Sequence, residues 1–250
     1  MKIKNLITAV FLLLAVFIVG CNNSNPPITQ YIHAKVENAT EFDNIVEVRL
    51  MVFNGYDTVR WDNGSWIIER DVELARGEWK DGGFTIELPK TLASRHLRPL
   101  VGDRDANYPT NISAIPPTMT ISNRNVRVAD ARFVGIDIDG NMIATFSPFK
   151  LDENGDTEAL FTYVGSGVTI SGYTKRGVHV NPSEGSPAWA DIITTYSIKW
   201  KKGWNIWHLS RSSTIDNDRF IIISTTQWSS SPVSGLKWHG RKGYIPSVQN

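Results

Sequence analysis

The chain has 250 residues, with 26 Lys and Arg against 25 Asp and Glu. That balance supplies no clustered basic surface of the kind nucleic acid requires. A single cysteine rules out any disulfide within the chain, while a chain of this length can bury a hydrophobic core without one.

The first residues, MKIKNLITAVFLLLAVFIVG, place Lys2 and Lys4 ahead of an apolar run from Leu6 to Val19 that only Thr8 interrupts. This is the charged start and apolar middle of a secretory signal. It is too short for a permanent spanning helix, which needs about 20 apolar residues, and polar Asn22-Asn23-Ser24-Asn25 follows at once. Ile18-Val19-Gly20-Cys21 resembles a bacterial lipobox. The resemblance implies that the Cys21 thiol is alkylated by a diacylglyceryl group and that the signal is cut just before it. The alternative, a lone free thiol in an exported chain, lacks any disulfide partner. Residues 1–20 are thus expected to be a signal peptide, and 21–29, polar with two prolines, a lipid-anchored tether. Asn22 is not the aspartate that resembles an inner-membrane retention signal, so the expected location is the outer membrane, at its periplasmic face or at the cell surface.

After the tether the chain turns β-rich. IVEVRLMVF (45–53) alternates Val46, Val48, Leu50 and Val52 against Glu47 and Arg49, which predicts a half-buried strand. GFTIELP (83–89) alternates Phe84, Ile86 and Leu88 against Thr85 and Glu87 and stops at Pro89. Asp62-Asn63-Gly64 and Asp81-Gly82-Gly83 are turn chemistry, and TLASRHL (91–97) can make a helical turn. Residues 102–118 hold three prolines and little periodicity, which marks a boundary or a long crossing loop. Residues 126–149 predict a hairpin about Asp139-Gly140-Asn141. Residues 159–174 read as a strand pair or one bulged strand, 191–200 as a strand, and 203–210 with 219–228 as a further hairpin. The expected fold is an all-β antiparallel sandwich in two β-rich segments. The first, 30–101, is an N-terminal sandwich, and the second, 118–245, a C-terminal sandwich or barrel.

AKVENATEFDNIVEVRLMVF, then ELARGEWKDGGFTIELPKTL and LRPL, resemble the N-terminal half of uncharacterised lipoproteins of the Bacteroidetes type. In those, an immunoglobulin-like or transthyretin-like β domain carries a similar stretch, here Trp79, Gly82, Gly83, Phe84, Leu88 and Pro89. SIKWKKGWNIWHLS resembles a strand entry of the same chains, with Trp200 where leucine is usual. These are motifs of packing and turns. They imply a fold and an envelope location, and no reaction.

Few constellations carry chemistry. Asp152, Asn154 and Asp156 alternate with the spacing of a starting calcium loop, yet Thr157 stands where glycine is needed and Tyr163 where a bidentate Glu is needed. A solvated turn is the preferred reading and a weak calcium site the alternative. His33, His96, His179, His208 and His239 are scattered without metal-ligand spacing, no GxSxG elbow is present, and no cofactor is implied. Five of the nine tryptophans, Trp200, Trp204, Trp207, Trp228 and Trp238, crowd the C-terminal region. If residues 203–210 form a strand, Trp204 and Trp207 point to opposite faces. Trp204, which shares a face with Ile206, is expected in the core. Trp207 is expected as an exposed ring stacking on a sugar or a protein partner.

Two classes of function follow. The first is a non-catalytic envelope lipoprotein, held to the membrane by its anchor, whose β module binds a glycan, a small ligand or a neighbouring surface protein. The second is an envelope hydrolase whose site assembles only in three dimensions, with a purely structural envelope subunit as a further variant.

Overall fold

A computed structural model describes residues 30–52, 59–62, 65–68, 72–101, 115–153, 155–179, 189–216 and 221–242. The expected signal, Cys21 and the tether lie outside these residues. What is described is all-β, and its helical content is two single 3-10 turns, Ala39–Glu41 and Ser94–His96.

The N-terminal segment runs through β1 (Gln30–Lys35), β2 (Ile45–Val52), a separate ribbon of β3 (Val59–Asp62) and β4 (Ser65–Ile68), then β5 (Val72–Lys80), β6 (Gly83–Leu88) and the short β7 (Arg98–Pro99). The β5–β6 hairpin turns on Asp81 (φ 52°) and Gly82 (φ 71°), the two left-handed residues that a tight two-residue turn demands. In β6, Phe84, Ile86 and Leu88 point inward while Thr85 and Glu87 are exposed, as the alternation predicts. In β2 a register shift against the next long strand lies between Ile45 and Glu47, so Ile45 is buried and Val46 is not.

The C-terminal segment contains β8 (Met119–Ile121), β9 (Arg127–Asp137), β10 (Met142–Asp152), β11 (Gly155–Val164), β12 (Val168–His179), β13 (Trp189–Trp200), β14 (Gly203–Asp216), β15 (Ile221–Ser229) and β16 (Lys237–Lys242). The β9–β10 hairpin is held by the Asp137 carboxylate, which accepts the backbone N–H of Asp139 (3.0 Å) and of Asn141 (2.7 Å) and the Asn141 amide (3.1 Å).

Fourteen of these strands join one sheet in the order β1-β6-β5-β2-β9-β10-β11-β14-β15-β13-β12-β8, with β16 beside β10 and β7 beside β9. Two expectations need correction. The sheet is mixed rather than antiparallel throughout, because β15 inserts between β14 and β13 and runs parallel to β13. It coils without closing, with β1 and β8 as its ends, so the C-terminal half is not a barrel. The segments before and after residues 102–118, read as a boundary or a long crossing loop, share one sheet: β2 pairs along β9, and Val36 bridges Trp238.

Because the sheet coils, its central strands are buried on both faces. On one face Phe133, Phe146 and Phe161 meet Ile32, Phe84, Ile86 and Trp238 to fill the N-terminal sandwich. On the other, Val128, Val164, Trp207 and Trp228 meet Ile121, Ile170, Ile198 and Trp200 where β8, β12 and β13 fold back. Strands β9, β11 and β14 contribute to both cores, through residues of opposite parity, as the pleat requires.

Candidate polar face of the distal sheet

Trp207 is fully buried, which overturns its expected role as a surface contact. Its ring packs on Trp228 (4.9 Å between centroids) and Trp200 (6.1 Å). Its indole N–H donates to the Thr162 hydroxyl (2.9 Å), which in turn donates to Asp130 (2.8 Å), itself paired with Arg98. Thr162, Asp130 and Trp207 are all buried. A buried indole N–H needs an acceptor, and a hydroxyl can accept from Trp207 while donating to Asp130. The expectation failed because it allowed β14 only one buried face. Trp204, three residues back, stands edge-on to Tyr163 (5.5 Å), with its N–H on the Pro89 carbonyl (2.8 Å).

The carboxylates of the calcium alternative each face a cation. Asp152 pairs through one oxygen with Lys150 (3.0 Å) and Asp156 through one oxygen with Arg211 (2.9 Å). Asn154 lies outside the described residues. Among the described residues no group of three or more His, Cys, Asp or Glu could hold a metal.

The distal part of the C-terminal sheet has a different character. Beyond Leu209, Trp228 and Tyr196 the strands β12, β13, β15 and β14 continue past the core, and among the described residues no second sheet layer packs over their outer face. Register fixes what that face carries, since paired residues share a face. One row crosses five strands as Tyr173, Thr195, Gln227, Ser210 and Thr157, and the next as Lys175, Ile193, Thr225 and Ser212. Thr157 and Ser210 hydrogen-bond through their hydroxyls at 2.9 Å, and Lys175 pairs with Asp191 at 2.9 Å, both agreeing with this assignment. β-branched threonine favours the strand, and the row's hydroxyls are themselves engaged, Thr157 with Ser210 and Thr195 donating to the Thr226 carbonyl (3.5 Å).

The rows end in a shallow cleft of about 510 Å³ between the β10–β11 turn and the face of β14 and β15, lined by Gly155, Thr157, Ser210, Ser212, Thr225 and Gln227. Gly155 has φ 149°, and a Cβ there would lie 1.9 Å from the Arg211 carbonyl oxygen. Only glycine lets β11 start this close to β14. At the opposite end, Tyr173 is 48% exposed. One titratable group sits under the near margin of the face. His208 is buried, and desolvation pushes its imidazole below the ordinary value, opposed by hydrogen bonds to the Ser231 and Ser229 backbone.

Sequence reasoning missed this face, although its signal is present: SRSSTID, ISTTQ and ITTYS are strands with hydroxyls on both parities. The arrangement defines an all-β module with an open, hydroxyl-rich sheet face. Comparison with known protein families, curated proteins and solved structures finds no match to this chain.

Proposed function

We propose that the protein is a cell-envelope lipoprotein, tethered to the outer membrane through Cys21, whose β module binds a glycan without catalysis. The observation that carries the binding reading is the row from Tyr173 to Thr157, where an exposed ring stands at one end of a line of hydroxyl and amide groups. Sugars present apolar C–H faces that stack on an aromatic ring and hydroxyls that exchange hydrogen bonds with Ser, Thr and Gln side chains. The large contact area of a ring comes at small entropic cost. The anchor reading rests on the charged start, apolar run and lipobox-like Ile18-Val19-Gly20-Cys21, and stable attachment follows from adding about 0.8 kcal/mol per buried CH₂ over several acyl chains.

The binding reading is tested by probing a glycan array with the chain from residue 22 onward. Retention of one or more polysaccharides, abolished or weakened by Tyr173→Ala, supports it; an array on which no glycan is retained contradicts it. The anchor reading is tested separately by Cys21→Ala. Labelled palmitate should no longer be incorporated, and the variant should leave the membrane fraction; continued labelling would contradict the assignment.

A further inference from the structure

We infer that the cleft beside Tyr173 receives an N-acetylated hexosamine of the bound glycan, its acetamido group set between the Ile115–Pro116 wall and the Lys175 ammonium. The inference rests on the glycan reading above. The cleft, of about 490 Å³, is lined by Ile115, Pro116, Thr118, Tyr173, Thr174 and Lys175. It lies where the segment leading into β8 meets β12. There the Tyr173 N–H donates to the Thr118 carbonyl (3.2 Å), and the Thr118 hydroxyl donates to the Tyr173 carbonyl (2.6 Å). The apolar wall is built before any ligand arrives. Ile115 packs against the C-terminal core, and the Pro116 carbonyl accepts the Met119 N–H (3.0 Å) to close a tight turn in which Pro116 and Pro117 have φ fixed by their rings. A wall already ordered adds little to the cost of binding.

Each lining group suits one part of an N-acetylated sugar. The Tyr173 ring, 48% exposed, takes the C–H face of the pyranose. Ile115 and Pro116 present side chains without donors or acceptors, so a sugar hydroxyl turned toward them would give up water and gain no partner. A methyl group placed there gains by leaving water. The Lys175 ammonium carries three donors and pairs with Asp191 at 2.9 Å; the donors left over suit a carbonyl oxygen. Methyl and carbonyl together on one small substituent are what an acetamido group supplies. A deoxy sugar such as fucose offers the methyl without the carbonyl, and a free amino sugar lacks the methyl and sets a positive charge beside Lys175.

The test is saturation-transfer NMR and titration of the soluble chain with the methyl glycosides of N-acetylglucosamine and N-acetylgalactosamine, against those of glucose, galactose, glucosamine and fucose. One of the two acetylated glycosides should bind about tenfold or more tightly than its hydroxyl counterpart, with its acetamido methyl as the most strongly saturated group. Tyr173→Ala should abolish the signal. Lys175→Met, which keeps an apolar stem and removes the ammonium, should lower affinity for the acetylated glycoside severalfold and leave that for the hydroxyl counterpart unchanged. Equal affinity for acetylated and hydroxyl forms, tighter binding of fucose, saturation centred away from the acetamido methyl, unaltered affinity in Lys175→Met, or silence from both acetylated glycosides would each overturn the inference. Retention on the array of glycans without N-acetyl groups would then leave the broader reading standing, and an empty array would remove both.

Discussion

Strand β14 contains two regions of opposite design, and comparing them shows how the fold divides support from display. From Trp204 to Leu209 one face carries Trp204, packed against the N-terminal core, and Ile206, which is exposed, while the other carries Trp207 and Leu209, which meet the C-terminal core. From Ser210 to Asp216 the same strand continues as SRSSTID with polar residues on both faces. Hydrogen bonds of the ladder are made equally in both halves, so backbone pairing does not distinguish them. The difference lies in apolar burial, which supplies most of the driving force for folding. The inner half fixes the sheet, and the outer half is free to vary its surface.

The contrast can be broken most forcefully at Trp207. Trp207→Ala should cost about 3–5 kcal/mol, read from urea unfolding, because it leaves a cavity in a core closed on all sides. A loss below about 1 kcal/mol would mean that the C-terminal core is looser than its burial suggests. Thr162→Val, close in shape, removes the hydroxyl that serves both Trp207 and Asp130, and should cost about 1–3 kcal/mol by leaving buried polar atoms unpaired. Thr162→Ser should recover most of that loss, which separates hydrogen bonding from shape.

His208 marks the border between the two regions and gives the comparison a pH dependence. Its folded value lies below the ordinary 6.5, mainly through desolvation. In the window between the folded value and 6.5 the unfolded chain therefore binds the proton and the folded chain does not. Stability should fall as pH drops from about 6.5 toward the folded value and then level off with respect to this group. His208→Gln should flatten that part of the stability curve, and an unchanged slope would remove His208 from the account. The smallest expected effect is at the far end of the face. Tyr173→Ala should shift stability by no more than about 0.5 kcal/mol, as at an uncommitted surface site, and a larger loss would make the ring structural.

Much of the fold was legible because local chemistry and final structure agree. The β9–β10 hairpin follows from Asp139-Gly140-Asn141, the β14–β15 hairpin from two apolar runs around a polar turn, and β6 from strict alternation ending at Pro89. The insertion of β15 between β14 and β13 was not legible, because pairing between distant strands leaves no local mark when both carry the same Ile and Thr residues. Trp207 was misassigned for a related reason. Alternation tells which residues share a face, and not whether a second layer covers that face. The buried partner of its indole, Thr162, is an ordinary strand threonine in the sequence, and only the coil of the sheet gives it a role. The candidate face was recorded in the hydroxyls of three strands, yet their alignment depends on register.

The central claim is that the outer face of the distal strands is the surface that meets sugar. Hydroxyl-radical footprinting reads it most directly, with the soluble chain labelled alone and again with a polysaccharide retained on the array. The account predicts that labelling of Tyr173 falls when the polysaccharide is bound, while Trp207 resists labelling in both samples. Unchanged labelling of Tyr173 in the presence of bound polysaccharide would contradict it.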